Sequence, residues 1–448
     1  MKNIYFWKNF IEKVKKDFKG LDFEIVAMEN SSELTRFAKS YIHQNVAETD
    51  LSITFKVINQ NKVGVVKVNS FDETVISEGI KRAIGLSKIV PELDYQYCLV
   101  KPQNYKAKSK SSFYEKTANF TPLNRAQQIS KLVKKVNKKE YEASGAFETG
   151  METMMVANSE GVFAFDRKTK VNFNSIITKD NSTAHHSFIS SNIDHLDIEG
   201  ISDELLDTAL RNVDQVEIEP GIYTVILSPE AAAEILSEAG YVGFDGKLIM
   251  EGKSFISGKQ GKKLFPKSIT ISDDPDEKCT IPIPFDFIGY PRNKIELIKD
   301  GVIIDGVYDY LTALKYNRRC TGNTLPPENA SMGALPFNLV MKGGEYSSED
   351  MVSNTKNGIY INRFHYVNVL NPMSIELTGM TRDGTFLIEN GKITRAIKNM
   401  RFNVSVVDLL KGVDMISRER KTKAGLVGPV VAPYLRTNNF TFSSKTSF

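Results

Sequence analysis

The sequence predicts an α+β protein of two unlike parts: an N-terminal α/β lobe, then a β-rich C-terminal domain of mainly antiparallel, strongly curved sheet. Three observations carry this. A chain of 448 residues exceeds what one hydrophobic core usually supports, so two domains are expected. Up to about residue 217, segments of helical period mix with segments of strand period. Beyond Gly221, short β-type runs recur with glycine turns between them. The seam is placed at E-I-E-P-G, Glu217 to Gly221, dividing the chain into 1–217 and 218–448.

The elements follow in order. Trp7, Phe10, Ile11, Val14 and Phe18 recur at helical spacing with lysines between them, and Gly20 ends the helix. Phe23 to Met28 reads as a strand. The runs L-S-I-T-F-K-V-I (51–58) and V-G-V-V-K-V (63–68) flank a hairpin turn at N-Q-N-K. Ile76, Ile80, Ala83 and Ile84 mark a second helix that ends before Pro91. Residues 91 to about 123 lose periodicity and read as a long loop. A third helix spans Leu123 to Val136. Tyr141 to Ile177 alternates as antiparallel strands broken by S-E-G, and Ser202 to Val213 forms a further helix. After Gly221 come T-V-I-L, S-I-T-I-S, I-E-L-I, G-V-I-I-D, F-N-L-V-M, G-I-Y-I, T-F-L-I and K-I-T-R. The turns K-D-G, K-G-G, R-D-G and E-N-G separate them, supplying the residues that tolerate positive φ.

Composition narrows the class. A hydrophobic fraction of 41% with 25% charged residues describes an ordinary globular protein. A net charge of +4 is too small to imply nucleic-acid binding. The basic runs Lys106–Lys110 and Lys131–Lys139 lack interleaved aromatics, so they read as a solvated loop and helix face. Cys98, Cys279 and Cys320 show no C-x-x-C spacing, which fits a reducing compartment. The N-terminus is interrupted by charge every few residues, unlike a signal peptide. No apolar run approaches a membrane span. A cytoplasmic protein with no membrane and no nucleic-acid partner is expected.

Four candidate chemistries stand in the sequence, each beside a plainer reading. The first is Glu238 on a helix from Ser228 to Val242, where zinc peptidase chemistry needs two further ligands close by. Ser237, Tyr241 and Val242 supply no imidazole, and the plainer reading puts Glu238 on a solvent-exposed helix surface. The second is A-H-H-S-F-I-S-S-N-I-D-H, with His185, His186, Asp194 and His195. On an alternating strand His185 and His186 face opposite sides, so both cannot ligate one ion. His43 and His365 are isolated. The third is Cys320 beside Arg318 and Arg319, without a sequence-evident base; a structural thiol is the plainer reading. G-K-Q-G-K-K (258–263) lacks P-loop spacing and reads as a mobile loop. The fourth is binding: exposed strand edges onto which an extended peptide adds as a further strand.

Several fragments, in this order and spacing, resemble the TldD/PmbA family, once called modulators of DNA gyrase. They are A-N-S-E-G-V (157–162), G-I-Y-T-V-I-L-S-P-E-A-A-A (221–233), S-D-D-P-D (272–276) and F-D-F-I-G (285–289). I-K-D-G-V (298–302), T-G-N (321–323), N-G-I-Y-I (357–361) and I-E-N-G-K-I (388–393) complete the set. The resemblance covers roughly the last two thirds of the chain. It implies a metallopeptidase framework in which one branch, TldD-like, holds zinc through His-Glu-x-x-x-His and a tail Cys. This chain has Ser237 and Val242 at the two His positions, and its tail R-E-R-K-T-K-A-G-L-V-G-P-V-V-A-P-Y-L has no Cys. It also carries Ile288 where the family usually has an acidic residue. The ending V-V-A-P-Y-L-R-T-N-N-F-T-F-S resembles the PmbA branch. The resemblance therefore implies a PmbA-like subunit of a cytosolic peptidase complex acting on short or unfolded peptides. In that complex this chain shapes the substrate cavity and a TldD-like sister subunit carries the zinc. No catalytic, metal-binding or cofactor-binding residue is expected in this chain. The alternative is a stand-alone homodimer that binds peptide or ligand without proteolysis.

Overall fold

A computed structural model describes residues 2–17, 20–93, 96–105 and 112–446. Phe18 and the basic run Lys106–Lys110 lie outside the described residues.

Helix α1 (Ile4–Asp17) seats Trp7, Ile11 and Val14 in the core, as their spacing predicts. Strands β1 (Asp22–Ala38) and β2 (Tyr41–Asn59) form a long antiparallel hairpin closed by Lys39 and Ser40, both at positive φ. β3 (Lys62–Val68) returns through Gln60 and Asn61, again both at positive φ. Asp72 caps α2 (Glu73–Ile89) by accepting from the Thr74 and Val75 amides. The loop expected over residues 91–123 contains a short helix, α3 (Glu115–Ala118). Then follow α4 (Pro122–Asn137), β4 (Glu142–Asn158), β5 (Phe163–Lys179), β6 (Ser182–Ser190) and α5 (Ile198–Arg211).

Among the described residues these strands make an antiparallel sheet in the order β3-β2-β1-β4-β5-β6. Odd-numbered β1 residues share one face. On that face α1 and α2 cover Ile25, Phe55 and Ala157, while α4 and α5 cover Phe37, Phe147 and Phe173. The other face presents Val26, Val156 and Ala164 to Phe285 of the C-terminal part. The strand expected at Phe23–Met28 continues ten residues further than the sequence suggested. Its extension pairs with residues 41–50 of β2, which are almost all exposed. Residues 41–50 are buried on neither face, and in the extension of β1 only Phe37 is a buried apolar side chain, so no hydrophobic alternation announces the hairpin.

The second sheet begins close to the seam: Val216 already bridges to Ile397. β7 (Gly221–Leu227) leads into α6 (Pro229–Gly243) and α7 (Gly246–Met250). Short strands β8 (Ile271–Asp273), β9 (Ile295–Lys299) and β10 (Val302–Ile303) precede α8 (Tyr310–Lys315), β11 (Leu339–Met341) and α9 (Ser348–Ser353). Longer strands follow: β12 (Asn357–Asn371), β13 (Glu376–Glu389), β14 (Lys392–Ala396) and β15 (Met400–Ser405). α10 (Val406–Lys411), β16 (Val413–Ala424) and β17 (Pro429–Lys445) complete the part. The order is β10-β9-β8-β11-β17-β15-β13-β12-β7, and β7 pairs also with β17. Strands β17, β15, β13, β12 and β7 therefore close on themselves, the strong curvature that the recurrent short runs imply. Pairing is antiparallel except at β11–β17 and β12–β7. The segment 258–263, expected to be mobile, is bonded into this sheet. Gly261 N donates to Ile303 O at 2.8 Å, and Lys263 bridges Val302.

A buried polar cluster holds the loops between β8 and β11. Arg292 donates to both carboxylate oxygens of Asp273 at 2.6 Å, and both side chains are essentially inaccessible to solvent. Asp273 also accepts from Asn323 Nδ2 at 2.7 Å and Asn338 N at 2.7 Å. Arg292 donates further to Asn338 Oδ1 and Ile283 O. Asp286 accepts from the amides of Ile288, Tyr290 and Thr324. Three family-like fragments, S-D-D-P-D, F-D-F-I-G and T-G-N, thus meet in one place. Breaking such a pair leaves an uncompensated buried charge. Arg292→Met is expected to lower unfolding free energy by about 3–5 kcal/mol, read from urea denaturation. Arg292→Met combined with Asp273→Asn is expected to recover part of that loss.

Candidate functional site

The helix singled out in the sequence is α6. Its start is built locally: Ser228 Oγ accepts from the Glu230 and Ala231 amides, Pro229 occupies the first turn, and alanines follow. Ala231, Ala232, Ala233, Ile235 and Leu236 are buried against Val225, Ile359 and Leu435. Ser237 and Val242 are each 9% exposed. Val242 belongs to the apolar core cluster. Ser237 Oγ accepts from the amide of Leu426 at 2.8 Å, so the C-terminal tail crosses α6 at this residue. A Cβ on Gly425 would come within 2.8 Å of the same hydroxyl, which accounts for glycine there. The helix and the tail, distant in sequence, are thus brought together.

Glu238 was expected on the exposed surface of the helix. It is half-buried instead, and burial pushes its carboxyl above the usual range. One turn earlier, burial pushes Glu234 up to about 7; Arg363 opposes this, and the Glu230 and Glu238 carboxylates add to it. Glu230, one turn earlier again, behaves oppositely. Burial alone would raise it, but Lys423 at 2.8 Å and His185 at 3.2 Å outweigh that and hold it well below the ordinary value.

These contacts place the histidines. His185 and His186 face opposite sides of β6, as strand alternation predicts. His185 meets Glu230 of α6, and His186 Nδ1 lies 3.2 Å from Glu204 of α5. Lys421 Nζ completes the second contact at 3.0 Å from Glu204. Lys423 also donates to Ser187 O at 2.6 Å. Strand β16 and helix α6 of one part are thereby clasped to β6 and α5 of the other. His195 is exposed, with Nδ1 3.1 Å from Ser190 Oγ, while Asp194 pairs with Lys116. A cavity of about 320 Å³ opens beside the clasp, lined by His186, His195, Glu204, Cys279 and Lys421.

The other nominated groups lie apart. His43 is exposed on β2 and His365 sits on β12. Cys320 is buried, and burial followed by Asp286 pushes its thiol well above the ordinary value. Arg318 and Arg319 are exposed beside it and do not reverse this. Lys131–Lys139 lies mainly on the outer face of α4, with Lys135 paired to Glu199 and Asp203.

A larger cavity, about 540 Å³, separates the two sheets. Met28, Met154 and the cross-strand pair Glu152–Lys168 (2.8 Å) form the wall given by the first sheet. Phe285, Phe287 and Phe337, on loops fixed by the buried cluster, form the opposite wall, and Tyr241 of α6 with tail residues 426–429 closes one side. Sequence reading missed this cavity, because its lining comes from seven separate stretches of chain.

A family model described as the PmbA/TldA metallopeptidase C-terminal domain matches residues 220–444. The chain belongs to the TldD/PmbA family. It is similar to an uncharacterised protein of Methanocaldococcus jannaschii, 24% identical over 371 residues that cover 80% of this chain and 82% of that one. It is also similar to a protein named metalloprotease TldD homolog from Buchnera aphidicola, 25% identical over 309 residues, 64% of this chain and 62% of the relative. The fold matches the crystal structure of TldE from Thermococcus kodakarensis with a TM-score of 0.87. That match covers 98% of this chain and 100% of the other at 21% identity.

For this TldD/PmbA chain the family's zinc can be tested against the side chains present. Ser237 spends its acceptor on the tail amide, Val242 is packed in the core, and the tail offers a glycine backbone at the crossing. Among the described residues no group of three or more His, Cys, Asp or Glu is placed to hold an ion. These residues do not fit a zinc ion.

The clasp is titratable. His186 bonding, opposed by burial and joined by Lys421, holds Glu204 at about 2 against an ordinary 4.5. Its contribution to stability is therefore present above pH 4.5 and lost as pH falls toward 2. Burial lowers His186 below 6.5, with Glu204 partly offsetting. Stability is accordingly lost as pH falls below 6.5 through that lowered value. Melting temperatures across an acid series are expected to fall in both windows. Glu204→Gln is expected to flatten the lower step, and His186→Asn the upper one.

Proposed function

We propose that this chain is the PmbA-like, non-catalytic subunit of a cytosolic TldD/PmbA-type metallopeptidase complex. Its role is to shape the cavity in which short or unfolded peptides are held, while a TldD-like sister subunit bears the zinc. The observation that carries the reading is the crossing at Ser237: the two helix positions where the zinc-bearing branch has His hold a serine bonded to the tail amide and a core valine, and the tail that meets the helix has no Cys. Membership of a metallopeptidase family and the likeness to TldE support it.

The cavity chemistry agrees with a peptide. Phenylalanine and methionine side chains provide sequence-tolerant apolar contact, and Glu152 with Lys168 offers one charge of each sign. An extended chain satisfies its backbone by adding to a strand edge, which a folded substrate cannot do. The division into 1–217 and 218–448 would then separate the two walls of the cavity. No helix among the described residues is long and apolar enough to cross a membrane.

The test is metal analysis joined to co-purification. The isolated chain is expected to carry far less than one zinc per chain and to cleave no unstructured peptide. Purified from its native cell, it is expected to bring down a chain with His-Glu-x-x-x-His and to gain peptidase activity with it. One tightly held zinc per isolated chain, or peptidase activity of the chain alone, overturns the proposal.

A further inference from the structure

The two walls of the larger cavity differ in kind. The wall from the C-terminal part is one apolar cluster. Leu325, Leu335 and Phe337 are buried in it, Ile283, Phe287 and Val427 are half-buried against them, and all six line the cavity. Tyr241, Met332 and Leu426, also in the lining, remain 36%, 45% and 60% exposed. Apolar surface gathered around a cavity and left uncovered marks a ligand site. The wall from the first sheet is mixed. Met28 and Met154 stand at one level of it, with Asp166 paired opposite Met154. At the next level on the same face Glu152 meets Lys168 at 2.8 Å.

An extended peptide between unlike walls is read on both sides at once. Its successive side chains point in opposite directions, so every second one meets the apolar cluster and the others meet the mixed wall. Side chains on one side recur about every 6.4–6.8 Å. Phe287 and Phe337 match that interval, with ring centroids 6.3 Å apart and planes at 80°. Two same-side apolar residues therefore each find a ring. Two apolar residues in direct succession do not, because one of them is turned onto Glu152 and Lys168. There it strips water from an ion pair and returns no hydrogen bond, whereas a hydroxyl, amide or charge replaces what the water supplied.

We propose that this cavity selects peptides in which large apolar residues alternate with polar ones, the apolar residues seated on Phe287 and Phe337. Alternation of this kind is the pattern of a strand with one buried and one solvated face. The substrate class is then the unfolded form of β-strand segments, which a folded protein keeps paired. The inference rests on the peptide-holding role proposed above and adds which peptides are held.

The experiment is fluorescence anisotropy of the full chain with two dye-labelled peptides of one composition, leucine with serine and threonine. In one the leucines alternate with the polar residues; in the other they form a block. The alternating order is expected to bind roughly tenfold tighter. Phe287→Ala is expected to weaken the alternating peptide by roughly tenfold and to bring the two orders close together, with its melting profile showing a folded chain. Phe287→Leu is expected to keep the preference. Glu152→Lys places two ammonium groups on the mixed wall. It is expected to favour an alternating peptide with aspartate at the polar positions over one with lysine by roughly fivefold or more, beyond any difference in the wild type. Equal binding of the two orders overturns the preference and leaves peptide holding intact. Binding of neither peptide by the folded chain overturns both. An alternating peptide indifferent to Phe287→Ala, or to the charge change at Glu152, also overturns the proposal; if Phe287→Ala fails to fold, the two orders on the wild type and Glu152→Lys decide.

Discussion

The carboxylate of Asp273 is removed from water and answered on every side by Arg292, Asn323 and the Asn338 amide. A charge in that position costs several kcal/mol in desolvation unless its partners are complete, so the network forms as a whole or is strongly unfavourable. Its members come from a strand end, two loops and the approach to β11. Satisfying them fixes the path of the chain where few regular hydrogen bonds are available. Phe337 lies beneath the Arg292 guanidinium, and Phe285 and Phe287 flank Asp286, so the same cluster that solves a charge problem also aims three aromatic rings into the large cavity. The short fragments that mark the family are therefore mostly scaffold, and their chemistry is that of holding loops still.

The cavity persists because the two parts of the molecule touch only at its margins. On one side Val26, Val156 and Ala164 meet Phe285 in a small apolar contact. On another, the clasp of β6 and α5 with α6 and β16 is ionic, built on Glu230, Lys423, Glu204 and Lys421. Apolar burial would draw the sheets together over their full area. A polar clasp sets a separation and then resists closer approach, since its members must keep their hydrogen bonds. The polar residues of β1, β4 and β5 on the inner face of the first sheet fit this: Glu148 with Lys170 and Glu152 with Lys168 form cross-strand pairs that would lose hydration if the gap closed.

What the sequence disclosed, it disclosed through periodicity. Trp7, Ile11 and Val14 announce α1, and the opposed facing of His185 and His186 follows from a period of two. Residues 29–38 and 41–50 form strand without announcing it, because most of their side chains are polar or exposed and apolar ones such as Phe37 are too sparse to make an alternating pattern. β17 is masked in another way. Pro433 within V-V-A-P-Y-L argues against a regular strand, yet the pairing with β16 is irregular near it and absorbs the missing donor. At the candidate site α6 was visible from Ser228 and Pro229 onward. The partner of Ser237 was not, since Leu426 is 189 residues away and only the closed sheet brings it near. Glu238 was misjudged because its partial burial comes from tertiary packing, which the helix sequence alone does not display.

α6 finally shows how a framework can be kept while its electrostatics change. Glu230, Glu234 and Glu238 stand a turn apart along one line of the helix. Only Glu230 is ion-paired, with Lys423 and His185, and it alone is held well below its ordinary value; at Glu234 burial outweighs Arg363, and burial also raises Glu238. Two imidazoles bearing a divalent ion at positions 237 and 242 would hold the neighbouring carboxylate charged. A serine bonded to backbone and a valine in the core supply no such field, so a glutamate between them gains nothing from ionising. The carboxyl of Glu238 is raised by burial with no cation beside it to oppose the shift. Two side chains and one tail crossing, at Ser237, Val242 and Leu426, set that environment.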